Sequence, residues 1–161
     1  MSAWTAPTPM ERLAMLRRAR TVAIVGASPN PNRASYFVSA YLRAETSYRL
    51  FYINPVVDEI FGEATYPSLA ALPETPDIVD VFRRQEELGT VTDEAIERGS
   101  SVLWFQLGLS SVEAAERAAQ HGLCVVMDRC LKIEHARFAG GLHLAGFDSG
   151  VISSRRHPLL D

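Results

Sequence analysis

The sequence predicts a doubly wound α/β domain on a five-stranded parallel sheet, and three observations carry that prediction. Five short runs rich in Val, Ile and Leu recur along the chain. Most of them are apolar at successive rather than alternate positions. Helical stretches with recognisable caps separate them. A strand apolar on both faces belongs in a sheet covered on both sides, and strands alternating with helices pair in parallel through right-handed crossovers.

The elements follow in order. Thr8-Pro-Met-Glu11 reads as a capping box with Pro at the first helical position, opening a helix to about Arg20 with Leu13 and Leu16 on its apolar face. Thr21-Val-Ala-Ile-Val25 is the first strand and residues 26–32 a loop, after which a helix runs over 33–44. The second strand, 48–53, is closed by Asn54-Pro55, and a short turn of helix covers 68–72 between Pro67 and Pro73. A third strand at 78–82 precedes a helix over 86–98 that stops at Gly99. The fourth strand is 101–105 and residues 106–109 form a loop. Ser110-Ser-Val-Glu113 is a second capping box, opening a helix that ends at His121-Gly122. The fifth strand is 123–127. The expected architecture is a Rossmann-like three-layer sandwich with strand order 3-2-1-4-5. One domain spans 1–161, with its core at 21–137 and an N-terminal helix within 1–20. In the tail at 139–161, Leu142, Leu144, Phe147, Val151 and Ile152 are expected to pack back on the domain.

Composition narrows the function. A chain of 161 residues, 47% hydrophobic, can bury a core without metal or disulfide staples. Its apolar runs fall far short of the roughly 20 residues of a membrane span, and no signal peptide opens the chain, so a cytoplasmic protein is expected. Two cysteines make no disulfide framework. With 16 basic against 19 acidic residues, the chain lacks the basic excess of a nucleic-acid binder. Every basic residue but Lys132 is Arg.

In an open parallel sheet, ligands bind beyond the carboxyl ends of the strands, where the strand order reverses. The order 3-2-1-4-5 puts that crevice between strands one and four. Gly26-Ala27-Ser28, with Arg33 and Ser35, reads as an anion cradle at a helix N-terminus, although any strand-to-helix turn favours Gly and Ser. Arg83 and Arg84 follow the third strand, either facing phosphate or forming a solvated turn beside Glu86 and Glu87. Gln106 and the Gly108 backbone are placed to read amide groups. Trp104 and Phe105 belong to the core.

Several chemistries are absent. The turn does not spell G-x-G-x-x-G, the second strand ends in Asn54-Pro55 rather than an acid, and no Walker loop or G-x-S-x-G elbow occurs. No His–Cys spacing suits zinc. His121 is expected at a helix C-terminus and His135 on a surface helix. Glu134 and Asp128 are expected to be structural, so no catalytic residue is assigned.

Five blocks in order resemble the small single-domain CoA-binding proteins, which are similar to the CoA-binding domain of the succinyl-CoA synthetase α subunit. They are VAIVGASPNPNRASY (22–36), YINPVVDEIFGEATYPSL (52–69), DIVDVFRR (77–84), LWFQLGL (103–109) and VVMDRC (125–130). The resemblance implies non-enzymatic binding of coenzyme A or an acyl-CoA. Gly26, Ala27, Ser28, Arg33 and Ser35 would hold the diphosphate and neighbouring pantetheine. Asn54 and Pro55 would lie by the adenosine, Arg83 and Arg84 near the ligand, and Gln106 and Gly108 along the pantetheine end. The chain departs from the family at Cys130-Leu131, where Cys-Pro is common. Rival expectations are a small NAD(P)-type oxidoreductase or acyl-transfer enzyme using the same crevice, and a module whose helix over 113–121 docks a larger synthetase-like partner. Cys124 is expected buried and inert. Cys130 either packs under the following helix or, beside Arg129 and Lys132, forms a mixed disulfide with bound CoA on oxidation.

Overall fold

The computed structural model describes residues 4–139. The expected packing of the tail beyond 139 lies outside the described residues. Thr8 caps helix α1 (Pro9–Arg18) with the full capping box to Glu11. Strand β1 (Thr21–Val25), buried throughout, leads to α2 (Ala34–Glu45) and β2 (Arg49–Ile53). A two-stranded hairpin, β3 (Glu59–Ile60) and β4 (Glu63–Ala64), and a 3₁₀ turn at Leu69–Ala71 fill the path to β5 (Ile78–Val81). Another 3₁₀ turn, Gln85–Glu87, precedes α3 (Leu88–Arg98). Then come β6 (Val102–Phe105), α4 (Val112–Gln120), β7 (Cys124–Val126) and α5 (Leu131–Ala139).

The five long strands form one parallel sheet, as the apolar runs predict, in the order β2-β1-β5-β6-β7. Counting long strands alone, this is 2-1-3-4-5 rather than 3-2-1-4-5. The third long strand lies beside β1, with Val22 opposite Ile78 and Val25 opposite Val81, and not outside β2. The outer edge of β2, where the expected order sets the third strand, is taken at its end by Tyr66, which bridges Ile53, donates to Tyr52 O and accepts from Asn54 N; the chain then returns to the far side of β1.

Alternate strand residues face two cores. Ala23, Val25, Phe51, Val79, Val81, Leu103 and Phe105 pack under α3 and α4, while Ile24, Tyr52, Ile78, Val102 and Trp104 pack under α1, α2 and α5. Helix α4 lays Ala114, Ala115 and Ala118 on its own sheet. Its N-cap is Ser111, whose hydroxyl accepts from Ala114 N, one residue later than the Ser110 box implies. His121 sits at its C-terminus as expected, with Nδ1 2.9 Å from Arg117 O.

Two expectations are corrected. His135 is buried, not on a surface face, because α5 turns Leu131, Glu134, His135 and Phe138 inward at i, i+3, i+4 and i+7. Its Nδ1 lies 2.9 Å from Tyr41 Oη. Cys124 is exposed rather than buried, because it opens a three-residue edge strand with a neighbour, Val102, on one side only. That border also carries Trp4, whose Nε1 donates to Val125 O at 3.0 Å.

Candidate functional site

The reversal of strand order falls between β1 and β5, and above it opens a cleft of about 870 Å³. This is at the large end of the roughly 300–1,000 Å³ of small-molecule sites. Its lining includes Gly26, Ala27, Ser28, Arg33, Ser35, Asn54, Pro55, Arg83, Arg84, Gln106 and Cys130. The structure thus brings together every residue singled out from sequence except Gly108. That residue takes a positive φ of 87°, and its N–H donates to Asp128 Oδ1 at 2.7 Å, so it clamps the loop after β6 to the loop after β7.

At the start of the cleft β1 ends in a tight turn. Gly26 and Ala27 both donate to Ile53 O at 3.2 Å, and Phe82 N donates to Val25 O at 2.8 Å. Gly26 has φ 89°, and a Cβ there would sit 2.2 Å from Phe82 O. The glycine is therefore required by the β5 backbone beside it, whatever the cleft holds. Ser28 Oγ accepts from Asn30 N at 3.1 Å, and Asn30 Oδ1 accepts from Asn32 N at 2.9 Å, folding the loop back toward α2. Helix α2 then begins with Arg33 as N-cap and no side-chain cap. The first N–H groups of such a helix have no acceptor within it, and they carry the positive end of its dipole. Arg33 is exposed and makes no ion pair among the described residues.

The other expected contacts divide by how far the protein already uses them. Asn54 is committed: Nδ2 donates to Ala27 O at 2.8 Å and Oδ1 accepts from Val56 and Val57 N, tying the β1 and β2 loops together. Arg83 and Arg84 share Glu87, at 3.8 and 3.3 Å, with the Arg84 side chain 78% exposed. They combine the two sequence readings, being paired in a turn and lining the cleft. Cys130 is half-buried, lines the cleft, and packs against the α1/α2/α5 core.

Sequence reasoning missed Asp80. It stands in the middle of β5, fully buried, where its Oδ1 accepts from Gln106 Nε2 at 2.9 Å and its Oδ2 has no partner. Burial raises its carboxyl from 3.8 to about 8, against a smaller lowering by the Gln106 bond. The signal was an acid inside an otherwise apolar run, Ile78-Val-Asp-Val81.

A carboxyl whose pKa is higher folded than unfolded makes folding take up a proton. Its stabilising protonated form is fully present below about 3.8 and is lost as pH rises through about 8. Wild type is expected to lose on the order of a few kcal/mol over that window relative to Asp80→Asn, which cannot ionise. Urea unfolding of both at pH 5.5 and 8.5 checks this; equal pH slopes would exclude it.

Glu134, in α5, is the other buried acid among the described residues, and it is well partnered. Arg12 Nε lies 2.5 Å from its Oε1, and Arg137 and Arg129 stand 3.6 and 3.9 Å from its Oε2. The structural role expected of it follows from this cluster. Among the described residues no group of His, Cys, Asp or Glu could hold a metal, and no helix is long and apolar enough to cross a membrane.

Comparison with known proteins agrees with this geometry. A family described as a CoA binding domain matches residues 20–136. The chain is 37% identical over 130 residues to the uncharacterized protein YneT of Bacillus subtilis strain 168, covering 81% of this chain and 96% of that one. A hypothetical protein from Pyrococcus horikoshii OT3 superposes with a TM-score of 0.78 at 32% identity, covering 85% of this chain and 98% of its own. A dinucleotide-forming acetyl-coenzyme A synthetase 1 from Ca. Korarchaeum cryptofilum shares the fold alone, at 23% identity and a TM-score of 0.63, over 70% of this chain and 26% of the synthetase. The five-stranded parallel sheet, the cleft at its order reversal and the match over most of the chain together place this protein in the CoA-binding domain family.

Proposed function

We propose that the chain is a cytoplasmic protein that binds coenzyme A or an acyl-CoA in the cleft at the strand ends, without catalysis of its own. One observation carries the reading. The side-chain-uncapped N-terminus of α2 opens beside the Gly26–Ser28 turn, in a cleft that also holds Arg33, Arg83 and Arg84. Backbone N–H groups at a helix N-terminus and arginine forks suit a diphosphate. The cleft then runs on to Gln106, Leu107, Cys130 and Ile133, a mixed polar and apolar stretch that suits an arm of amides and methylenes. The family match supports coenzyme A as the anion, and the cleft has room for it.

CoA is expected to raise the melting temperature more than NAD, NADP or ATP does. A ligand bound only to the folded state at 100 times its Kd stabilises by about 2.7 kcal/mol. A shift with NAD equal to that with CoA would favour a dinucleotide protein instead.

The cradle is tested separately. Ser28→Tyr is expected to abolish binding by filling the turn, while the ligand-free protein stays folded and loses only the Ser28–Asn30 hydrogen bond, about 1 kcal/mol. Arg33→Ala is expected to lose roughly ten- to a hundredfold in affinity, more at low salt than at high. Unchanged affinity in both, by calorimetry, would move the ligand elsewhere.

A further inference from the structure

Gln106 stands where the closed sheet meets the open cleft. It lines the cleft, yet its side chain is buried and its Nε2 donates to Asp80 beneath. An amide has a donor end and an acceptor end, whereas a carboxylate only accepts. With Asp80 ionised, the donor end must face down and Oε1 must face up. A protonated Asp80 instead carries an O–H, and its Oδ2 has no other partner to receive one. Gln106 turned over can accept that proton with Oε1 and set Nε2 toward the cleft. Each arrangement keeps one hydrogen bond.

We propose that Asp80 is a positioning residue: its ionised carboxyl turns the Gln106 Oε1 acceptor toward an N–H donor of the bound ligand, and taking up a proton frees Gln106 to present its donor end instead. That the ligand's donor is an amide of the CoA arm rests on the reading above; the Asp80–Gln106 pair itself does not.

The surroundings leave Asp80 to this one partner. The flanking strands set Ile24 and Trp104 beside it. The helices over that face carry Arg12, Tyr41, Glu134 and His135, which are engaged with one another as Arg12–Glu134 and Tyr41–His135. Cys130 lies on the same side. The shift of Asp80 has burial and Gln106 as its causes, with no charged neighbour contributing, and at about 8 it populates both forms near neutral pH.

The test has a ligand-free arm and a ligand arm. In the ligand-free protein, the Gln106 side-chain amide resonance is followed by ¹⁵N–¹H NMR from pH 6 to 10 in wild type and Asp80→Asn. The expected result is one midpoint near 8 in wild type and none in the variant. In the second arm, CoA and ADP are titrated into both proteins at pH 6.5 and 9.5. The ratio of wild-type to variant affinity is expected to change up to about tenfold with pH for CoA, the worth of one hydrogen bond, and to stay constant for ADP, which lacks the amide arm. Taking the ratio removes the ligand's own titration. A flat Gln106 resonance in wild type overturns the proposal, as does a CoA ratio equal at both pH values. Absence of any CoA binding by wild type would sink the CoA reading alone, and the wild-type resonance would still decide the role of Asp80, even if the variant failed to fold.

Discussion

Gly26→Ala is expected to destabilise the fold by about 3 kcal/mol or more, lowering the melting temperature by roughly 6–12 °C. Two costs add. The backbone sits at φ 89°, a region where a side chain is strained, and the new Cβ would lie 2.2 Å from Phe82 O and 2.9 Å from Phe82 C. The obstructing atoms are backbone, locked by the Phe82 N to Val25 O bond of 2.8 Å, so no rotamer change relieves the contact. β1 and β5 would have to part where the cleft begins. Thermal and urea unfolding measure it, and a loss under 1 kcal/mol would mean that the turn relaxes freely.

Glu134→Ala is expected to cost about 3–5 kcal/mol, because it strands a buried guanidinium. Arg12 and Glu134 have side chains only 8% and 4% exposed, and they join α1 to α5. Replacing both with apolar residues of similar size, Arg12→Met with Glu134→Leu, is expected to cost less than the single change, since no buried charge is then left alone. A double-mutant cycle by urea unfolding, made of Arg12→Met, Glu134→Leu and the double variant, gives the coupling. A double variant less stable than Glu134→Ala would show that the pair is worth more than the burial it displaces. The same carboxylate faces Arg129, whose backbone N–H donates to Phe105 O at 3.3 Å and whose carbonyl accepts from Trp104 Nε1 at 2.9 Å. Cys130 follows directly, so the ion cluster also holds one wall of the cleft in place.

The sequence revealed the sheet because local rules decide it: each long strand is a mainly apolar run, and Thr8-Pro9 and Gly99 mark helix ends by their own chemistry, while the Ser110-Ser111 pair marks one to within a residue. Strand order is not a local property. It depends on where the chain between β2 and β5 passes, and that path is set by the Tyr66 bridge to Ile53, a contact no periodicity announces. The cleft residues could be chosen even with the order mistaken, because β1 borders the reversal in either arrangement and every loop at the carboxyl ends of the strands opens on the same side of the sheet. Gly108 stands outside the cleft lining: a positive-φ glycine past a strand can serve a ligand or a neighbouring loop, and here Asp128 takes its N–H. The signal that buries His135 is the i, i+3, i+4, i+7 spacing from Leu131 to Phe138, a stripe in which two of the four positions are polar. One acid barely alters the apolar average of the Asp80 strand, and its burial becomes visible only once both faces of β5 are covered.

The two borders of the sheet are finished differently, and this bears on how the protein behaves at high concentration. An unpaired strand edge is a template for joining a second copy. At the end of β2, Tyr66 bridges Ile53 and occupies Tyr52 O and Asn54 N, backbone groups that a neighbouring strand would seek. The border at β7 is kept short and is guarded by an indole contributed from 121 positions away, which occupies the Val125 carbonyl. Colloidal behaviour thus hangs on Trp4: a form trimmed past it would keep its cleft but lose an indole packed on one core, leaving that carbonyl open to strand-to-strand aggregation.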